Sequence, residues 1–357
     1  MPRPIRATIS AGALAHNLTV AKRHAAGAKV WAVVKANAYG HGVERAARAL
    51  ADADGFAVVD FQEAARLRVA GVTKPILLLE GFFKPVDIGQ LNKYRLTPVI
   101  HNPEQLEILK HTKLDGEIDA YLKVNSGMNR LGFGAESLRP AYNALRMHRQ
   151  VKSLTLMSHF ADADGPSGIQ AQLDWFNELT KPFEVQQRSL ANSAALLRFP
   201  EARGDWVRPG IMLYGCSPFA DQSAEQLGLK PVMTLTAELI ARQHLQAGER
   251  VGYGFGYTAA GEMTIGIVAC GYGDGYPRHA PSGTPVLVNG KRARTVGRVS
   301  MDTIAIDISD IPEAYIGSPV TLWGEGLSAD EVGAAAGTLS YELLCKLTAR
   351  VPVAEVA

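Results

Sequence analysis

The sequence has few cysteines, no long apolar run and no excess of either charge. Its three cysteines, Cys216, Cys270 and Cys345, lie far apart and form no CxxC pair. A small and odd number of cysteines excludes a disulfide framework or a zinc ribbon and is typical of a protein in a reducing compartment. No stretch reaches the ~18 uncharged apolar residues of a membrane helix, and the N-terminal segment lacks the apolar part of a signal peptide. We therefore expect a cytoplasmic protein with no membrane partner and no metal site.

Charge is nearly balanced over the 357 residues, with 37 Lys and Arg against 35 Asp and Glu, a net charge of +2. This balance gives no broad basic surface, so nucleic acid is not an expected partner. Hydrophobic residues make up 47% and charged residues 20%, which is typical of a globular protein with a large core. At ~150 residues per domain, the length predicts about two domains, or one large barrel with a smaller unit.

Short apolar runs alternate with Ala-, Leu-, Glu- and Arg-rich stretches over the first two-thirds of the sequence. After a short N-terminal strand at 7–10, these runs occupy residues 29–35, 55–60, 75–80, 97–101, 118–125, 152–159, 187–192 and 206–214. The intervening stretches have helical periodicity, for example at 42–53, 62–70, 103–113 and 168–184. This alternation predicts an α/β fold with an N-terminal (β/α)8 TIM-type barrel. An open, doubly wound sheet is the alternative, and the seventh run carries the weakest strand signal.

From about residue 232 the pattern changes to short strands broken by Gly, Pro and Asp turns. We predict strands at 235–241, 264–270, 284–288, 303–308 and 320–323, and helices near 329–336 and 341–347. These segments predict a mostly β C-terminal domain. The polar stretch 219–231 is the predicted boundary, so that residues 1–231 form the barrel with the N-terminal strand and residues 232–357 form the β-rich domain.

Barrel enzymes act at the carboxyl ends of their strands, where this sequence places several polar side chains. These are Lys35, Lys123, His159, Asn192, Ser193 and Arg208. A lysine desolvated at a strand end has a lowered pKa and can bond covalently to a carbonyl carbon, although Lys35 can also extend from the rim into solvent. Arg208, which precedes Pro209-Gly210, can clamp an anion or form a structural ion pair. His159 can orient a ligand or satisfy a hydrogen bond in the core.

Two segments of the second domain, 251–257 and 271–276, alternate glycine with tyrosine. The GxGxG pattern occurs in dinucleotide-binding sites, but here no βα unit and no following acidic residue supports that function. We interpret both segments as loops that present phenol groups to a ligand site.

Several motifs together resemble the bacterial alanine racemases, enzymes that use pyridoxal 5′-phosphate (PLP) on a type III barrel fold. The most specific is Val33-Val-Lys-Ala-Asn-Ala-Tyr-Gly-His-Gly42, which is similar to the family's cofactor-lysine signature. Further matching motifs lie at 122–132, 158–161, 191–194, 207–215, 251–254, 271–276, 300–302 and 340–341. The resemblance covers nearly the whole chain and implies that alanine is the substrate.

The resemblance implies the residues that carry out proton transfer. Lys35 would hold the cofactor covalently and serve as one base, and Tyr253 of the partner subunit would be the opposing base. Arg208, steadied by His159, would face the pyridine nitrogen. The implied sites are therefore shared within a homodimer. Two bases on opposite faces agree with the reaction, because racemisation removes a proton from one face of Cα and returns it on the other.

The other implied roles concern the phosphate, the substrate and the entrance. The phosphate would be held by Tyr39, Ser193, Gly210, Ile211 and Tyr341. Arg130 and Met301 would meet the substrate carboxylate, and Tyr272 would narrow the entrance. Lys123 matches a position at which the family often carries a carbamylated lysine, whose negative charge would orient Arg130.

Arg208 also separates the candidate reactions. An arginine cannot accept a proton, so it does not keep the pyridine nitrogen protonated as a carboxylate would, which disfavours a decarboxylase of basic amino acids. A barrel-only PLP carrier is disfavoured by the second domain with Tyr253 and Met301. A broad-specificity amino-acid racemase stays open. So does the choice between supplying D-alanine for peptidoglycan and catabolising L-alanine.

Two residues depart from the family's motifs. Ser10 stands where the opening motif usually has aspartate, and Ser300 stands where many members have cysteine before Met-Asp. Neither is one of the implied bases, so both leave the implied reaction unchanged.

Overall fold

The computed structural model describes residues 3–184 and 187–357, which contain two large β-sheets. The first sheet is parallel throughout, and the second is mostly antiparallel. The predicted fold class, an α/β barrel followed by a mostly β domain, is confirmed. No helix among the described residues is both long and apolar enough to span a membrane.

The elements of the first part alternate along the chain. The N-terminal strand is β1 (Ile5–Ser10). The parallel strands are β2 (Lys29–Val33), β3 (Gly55–Val58), β4 (Ile76–Leu78), β5 (Leu96–Ile100), β6 (Ile118–Lys123), β7 (Val151–Met157), β8 (Gln187–Ser189) and β9 (Trp206–Val207). The helices are α1 (Ala11–Ala25), α2 (Lys35–Tyr39), α3 (Val43–Ala49), α4 (Phe61–Val69), α5 (Ile88–Lys93), α6 (Pro103–His111), α7 (Ala135–Met147), α8 (Gln170–Thr180) and α9 (Ser193–Arg198).

The second part consists mainly of strands. They are β10 (Met233–Leu245), β11 (Arg250–Val251), β12 (Tyr257–Thr258), β13 (Met263–Val268), β14 (Pro285–Val288), β15 (Lys291–Thr295), β16 (Ile304–Asp307), β17 (Pro319–Trp323) and β18 (Val353–Val356). Two helices, α10 (Ala329–Ala335) and α11 (Ser340–Cys345), precede β18.

The parallel strands close into a barrel. Strands β2 to β8 pair in chain order, and β9 pairs with β2. Between β8 and β9 the backbone completes the ring, because Asp205 N–H donates to Arg188 O at 2.8 Å and Arg208 N–H donates to Ala191 O at 2.9 Å. All carboxyl ends of the strands therefore meet on one side, where the polar side chains that follow them converge.

Helix α1 shows how the sequence determines one of the helices around the barrel. The Ser10 hydroxyl caps the helix by accepting the Ala13 N–H at 3.1 Å. Serine and aspartate are both good N-cap residues, so the departure at position 10 still leaves the helix capped. Leu14, Leu18 and Ala21 are buried and recur at helical spacing, which gives α1 one apolar face.

Strand β1 lies in the second sheet, although its position in the sequence groups it with the barrel. It pairs antiparallel with β10 and parallel with β18, so that Ala7 lies opposite both Leu235 and Val353. Ala7 and Ile9 are fully buried there. Pairing between segments so distant in the chain leaves no local signal in the sequence. The position of β1 directly before α1 therefore wrongly suggests that it belongs to the barrel.

Two predicted strands end early on the side of the barrel where the polar residues lie. The run at 29–35 ends as a strand at Val33, and Lys35 begins a separate turn. The run at 206–214 is a strand only at Trp206–Val207, because Pro209 cannot donate a ladder hydrogen bond. Ile211–Tyr214 then form a 3-10 helical turn.

In the second sheet the long strand β10 pairs near its start with β17 and near its end with β13. From β17 the pairing continues through β14, β15 and β16 to β13. Because β13 also pairs with β10, these six strands close into a ring. Strand β15 is not predicted from the sequence, because its residues Lys-Arg-Ala-Arg-Thr are strongly charged. Asn289 and Gly290 before it both have positive φ, as in a two-residue hairpin turn, and this dipeptide is the signal for the strand.

The burial of β1 predicts the effect of truncating its apolar side chains. We expect Ile9→Ala to lower the free energy of unfolding by about 2–4 kcal/mol, because a fully buried side chain leaves a cavity. Arg6→Ala, on the exposed face of the same strand, should change it by less than about 0.5 kcal/mol. Urea unfolding followed by circular dichroism measures both. Equal effects of the two substitutions would contradict the placement of β1.

Candidate active site

A cavity of about 610 Å³ opens at the carboxyl ends of the barrel strands. Most of the site residues predicted from the sequence line it. They are Lys35, Tyr39, Lys123, Arg130, His159, Ser193, Arg208, Gly210, Ile211 and Tyr341. Tyr341 belongs to α11, so the second part of the chain also contributes to the cavity wall.

Lys35 begins a left-handed helical turn. Ala36, Asn37, Ala38 and Tyr39 have φ values of 54°, 53°, 53° and 51°. This conformation costs a residue with a side chain about 1–2 kcal/mol. One helical turn separates Lys35 from Tyr39, and both residues line the cavity. The segment that supplies the lysine of the cavity is therefore strained.

His41 supports this turn from inside the protein. Its Nδ1 lies 2.9 Å from both Ala38 O and Tyr39 O, and since a carbonyl only accepts, Nδ1 carries the proton. The ring packs against Tyr214, with 4.6 Å between ring centroids. Burial lowers the pKa of His41 to about 4, so the imidazole is neutral near pH 7.

Three tyrosines pack together at one end of the cavity. Tyr214 donates its hydroxyl to Val33 O at 2.9 Å and stacks on Tyr39, with 4.6 Å between ring centroids. Tyr341 lies on the other side of Tyr39, 6.1 Å away. A Cβ at Gly210 would lie 2.6 Å from the Tyr39 hydroxyl oxygen, so glycine is required for the approach of this backbone to the phenol.

Ser193 completes this end of the cavity. Its Oγ accepts the Gly210 N–H at 2.8 Å, which leaves the hydroxyl hydrogen to donate to a ligand. Asn192 caps α9 by accepting the Ala195 N–H at 2.9 Å and thereby fixes the direction of the helix. Hydroxyl groups from Ser193, Tyr39 and Tyr341 thus line the cavity beside the Gly210 backbone, and these hydroxyl donors suit an anionic oxygen ligand.

Arg208 is buried, with 4% of its surface exposed, and held by several hydrogen bonds. Its NH1 group donates to Ser189 O and Oγ at 2.7 and 2.8 Å. Its NH2 group donates to Ser158 O at 2.7 Å, to Leu190 O at 3.0 Å and to His159 Nδ1 at 3.3 Å. Within residues 3–184 and 187–357 no acceptor is paired with the Nε–H group. This group is the donor that Arg208 offers to the cavity.

The cavity is rich in groups that can carry positive charge. Burial lowers the pKa of Arg208 to about 10. Burial and the nearby Arg208 lower the pKa of Lys123 to about 8 and that of His159 well below its usual value. Burial and the Arg130 guanidinium lower the pKa of Lys35. These shifts favour the neutral amine of Lys35, the form that acts as a nucleophile and a base.

Three of the predicted residues do not line this cavity. Tyr253 and Met301 are on the surface of the second domain, where their side chains are 72% and 51% exposed. Tyr272 belongs to the same domain and is half-buried. Gly252 and Gly254, which flank Tyr253, both have positive φ, so glycine is needed to shape this loop. One chain alone does not bring these residues to the cavity wall that contains Lys35.

An ion network centred on the buried Asp274 joins the loops that carry Tyr272 and Met301. Asp274 is fully buried, and its Oδ1 lies 2.7 Å from Arg3 NH1 and 3.2 Å from Arg350 Nε. Its Oδ2 accepts the Gly271 N–H at 2.9 Å, and Arg350 also pairs with Asp302 at 2.6 Å. The network thus holds both loops to the two ends of the chain.

Sequence reasoning misses several residues of the cavity wall. Glu80 lies two residues after β4, and Asp164 lies in the loop after β7, so charged residues near the ends of apolar runs are the signal for both. Cys345 is four residues after Tyr341 on α11, a spacing that puts both on one helix face. In the part of the chain that the structure describes, no group of three or more His, Cys, Asp or Glu side chains is placed to hold a metal ion.

The barrel, its cavity and the appended β-rich domain define a two-domain class of enzyme, and family models match both parts of the chain. Residues 9–218 match the alanine racemase N-terminal domain, and residues 232–354 match the alanine racemase C-terminal domain. The chain belongs to the alanine racemase family.

Individual relatives resemble the chain over nearly its whole length. An alanine racemase from Nitrosospira multiformis is 53% identical over 354 residues, 98% of this chain and 99% of that protein. A catabolic alanine racemase from Salmonella typhimurium is also 53% identical, over 99% of both chains. The biosynthetic alanine racemase of Pseudomonas aeruginosa has a TM-score of 0.97 at 51% identity, covering 99% of this chain and 100% of that chain.

The neutral, buried His41 predicts a loss of stability in acid. Its pKa is lower in the folded chain than the ordinary value of 6.5, so the unfolded chain binds the proton first and stability falls as pH decreases from about 6.5 to about 4. By linkage this group contributes a loss of about 2 kcal/mol at pH 5. Urea unfolding of wild type and His41→Asn at pH 7 and pH 5 tests it. The variant should lose less, and an equal loss would contradict the assignment.

Proposed function

We propose that this chain interconverts L-alanine and D-alanine with PLP as its cofactor. The observation that carries the proposal is the cavity that Lys35 shares with the buried Arg208 and with a wall of hydroxyl groups. Similarity over nearly the whole chain to the alanine racemases named above supports alanine as the substrate.

The donors of the cavity fit the cofactor. The hydroxyls of Tyr39, Ser193 and Tyr341 and the backbone of Gly210 and Ile211 would hold the phosphate. The Nε–H of Arg208 would face the pyridine nitrogen, and the Lys35 amine would bond to the aldehyde carbon. The glycine requirement at position 210 supports this assignment, because a Cβ there would displace the Tyr39 hydroxyl.

When bound, PLP supplies a conjugated ring that accepts the electron pair left as Cα loses its proton. Arg208 governs the fate of this electron pair, because a guanidinium donates a hydrogen bond to the pyridine nitrogen but does not transfer its proton to it. His159 keeps Arg208 in place by accepting from its NH2 group. With no carboxylate in that position, return of the proton to Cα is favoured over decarboxylation and transamination.

Two bases on opposite faces of Cα move the proton. Lys35 acts on one face, and its lowered pKa favours the neutral amine, which is the form that acts as a base. Tyr253 of the partner subunit acts on the other face. Arg130, from the same chain as Lys35, and Met301 of the partner subunit would hold the substrate carboxylate. Tyr272 of the partner subunit would narrow the entrance.

A homodimer follows from these assignments. Tyr253 and Met301 are exposed on one chain, and the family roles proposed for them require contact with substrate. A two-fold arrangement in which each second domain faces the partner's barrel supplies two complete sites. We further propose that the two domains meet at residue 231 and that the protein is cytoplasmic.

Lys123 is proposed to carry a carbamate. Only a neutral amine adds CO2, and burial with the nearby Arg208 lowers the pKa of Lys123 to about 8, which raises the neutral fraction. The resulting negative charge would lie among Arg130, Arg208 and Lys35 and would orient Arg130 toward the substrate carboxylate.

The lysine assignment predicts a complete loss of activity on truncation. Lys35→Ala should abolish racemisation of L-alanine, and borohydride should no longer fix PLP to the chain. Lys29→Ala, at the opposite end of β2, is the matched control and should keep activity. Chiral chromatography of the product and mass spectrometry of the reduced protein measure the two effects. A borohydride-fixed cofactor in Lys35→Ala would overturn the assignment.

The shared site predicts recovery of activity on mixing two inactive variants. Lys35→Ala and Tyr253→Phe chains, refolded together, should form heterodimers in which one of the two sites has both bases. Equal mixing gives about half heterodimers, so about a quarter of wild-type activity should return. Sites within single chains would recover nothing. If native mass spectrometry shows that subunits exchange and the mixture still has no racemase activity, the shared site is excluded.

A further inference from the structure

The left-handed turn at residues 36–39 contains no glycine, so contacts specific to this conformation have to hold it. One of them joins the turn to α4. The backbone N–H of Asn37 donates to Glu63 Oε1 at 2.8 Å. A carboxylate acceptor makes this hydrogen bond stronger than one between neutral groups.

Glu63 is itself held firmly. It lies in the first turn of α4, is 8% exposed, and donates its own N–H to the Asp60 side chain at 2.8 Å. Because Asp60 caps the helix, the Glu63 carboxylate remains available for Asn37. Burial raises the pKa of Glu63, which is the expected cost of keeping a carboxylate in this position.

The side chain of Asn37 adds further contacts around the turn. Its Oδ1 accepts the Val43 N–H at 3.1 Å and Arg66 NH2 at 3.0 Å. Arg66 in turn forms an ion pair with Glu44 at 2.7 Å. Both Glu63 and Arg66 belong to α4, so one helix contacts the backbone and the side chain of the same strained residue.

We propose that Glu63 is a positioning residue that holds the left-handed turn through Asn37 and thereby places Lys35 and Tyr39 in the cavity. Its consequence for PLP rests on the proposed function. Glu63 does not line the cavity, so its contact with the site runs through the turn, and only its charge also reaches Lys35.

The test compares three substitutions in the full-length chain. Glu63→Ala removes the acceptor, and Glu63→Gln keeps a carbonyl oxygen in its place. Asp60→Ala removes the N-cap of the same helix without touching Asn37, and so controls for loss of helix stability. If Glu63→Ala does not fold, Glu63→Met replaces it, because methionine keeps the side-chain length without an oxygen.

Two measurements are made on each variant. Hydrogen–deuterium exchange by mass spectrometry follows the segment 35–42 without any cofactor, and titration of the apoprotein gives the dissociation constant for PLP. We expect Glu63→Ala to speed exchange in this segment and to weaken PLP binding roughly tenfold, as for loss of a hydrogen bond to a charged group. Glu63→Gln should stay within about threefold of wild type in both.

Each outcome decides one question. Unchanged exchange and unchanged PLP binding in Glu63→Ala would overturn the proposal, as would equal changes in Asp60→Ala, which would assign the effect to helix stability. The proposal is supported if exchange becomes faster in Glu63→Ala but not in Asp60→Ala. Wild type that binds no PLP and forms no D-alanine would refute the proposed function, whereas the exchange result would still test the role of Glu63 in the turn.

Discussion

A strained backbone segment determines where the chemistry of this protein can take place. Residues 36–39 adopt a conformation that non-glycine residues avoid, and they keep it because His41 binds two carbonyls on one side and Glu63 binds an N–H on the other. The cavity lysine directly precedes this segment, and the tyrosine that ends it packs on Tyr214. The position of the amine is therefore set by the surrounding helices and rings.

Burial acts on the cavity in a second way, through charge. Arg208 is enclosed by carbonyl oxygens of Ser158, Ser189 and Leu190, which hold its positive charge in place, and no carboxylate among the described residues pairs with it. Its field and the loss of water lower the pKa of Lys123 and His159 together. The same environment attracts an anionic ligand and keeps nearby amines and imidazoles closer to their neutral forms. One buried arginine thus influences both binding and proton transfer.

The alternation of apolar runs and helical stretches was sufficient to predict the barrel, because each strand is short, buried and local in sequence. It also located Lys35, which ends the run at 29–35, and Arg208, which lies within the run at 206–214. It could not predict the left-handed turn, because Ala36 and Asn37 carry no glycine signal and the contacts that hold them come from elsewhere. The pairing of β1 was missed for a related reason, since its partners lie at the far end of the sequence.

The position of β1 has a consequence for the order in which the molecule is made. The barrel is inserted between two neighbouring strands of the second sheet, and Ser10 Oγ lies 3.3 Å from Ala357 O, so the first and last segments meet. During synthesis β1 precedes the barrel, whereas β10 and β18 follow it. The barrel can close while β1 still exposes an unpaired edge, and such edges promote aggregation. The second sheet becomes complete only once β18 has left the ribosome.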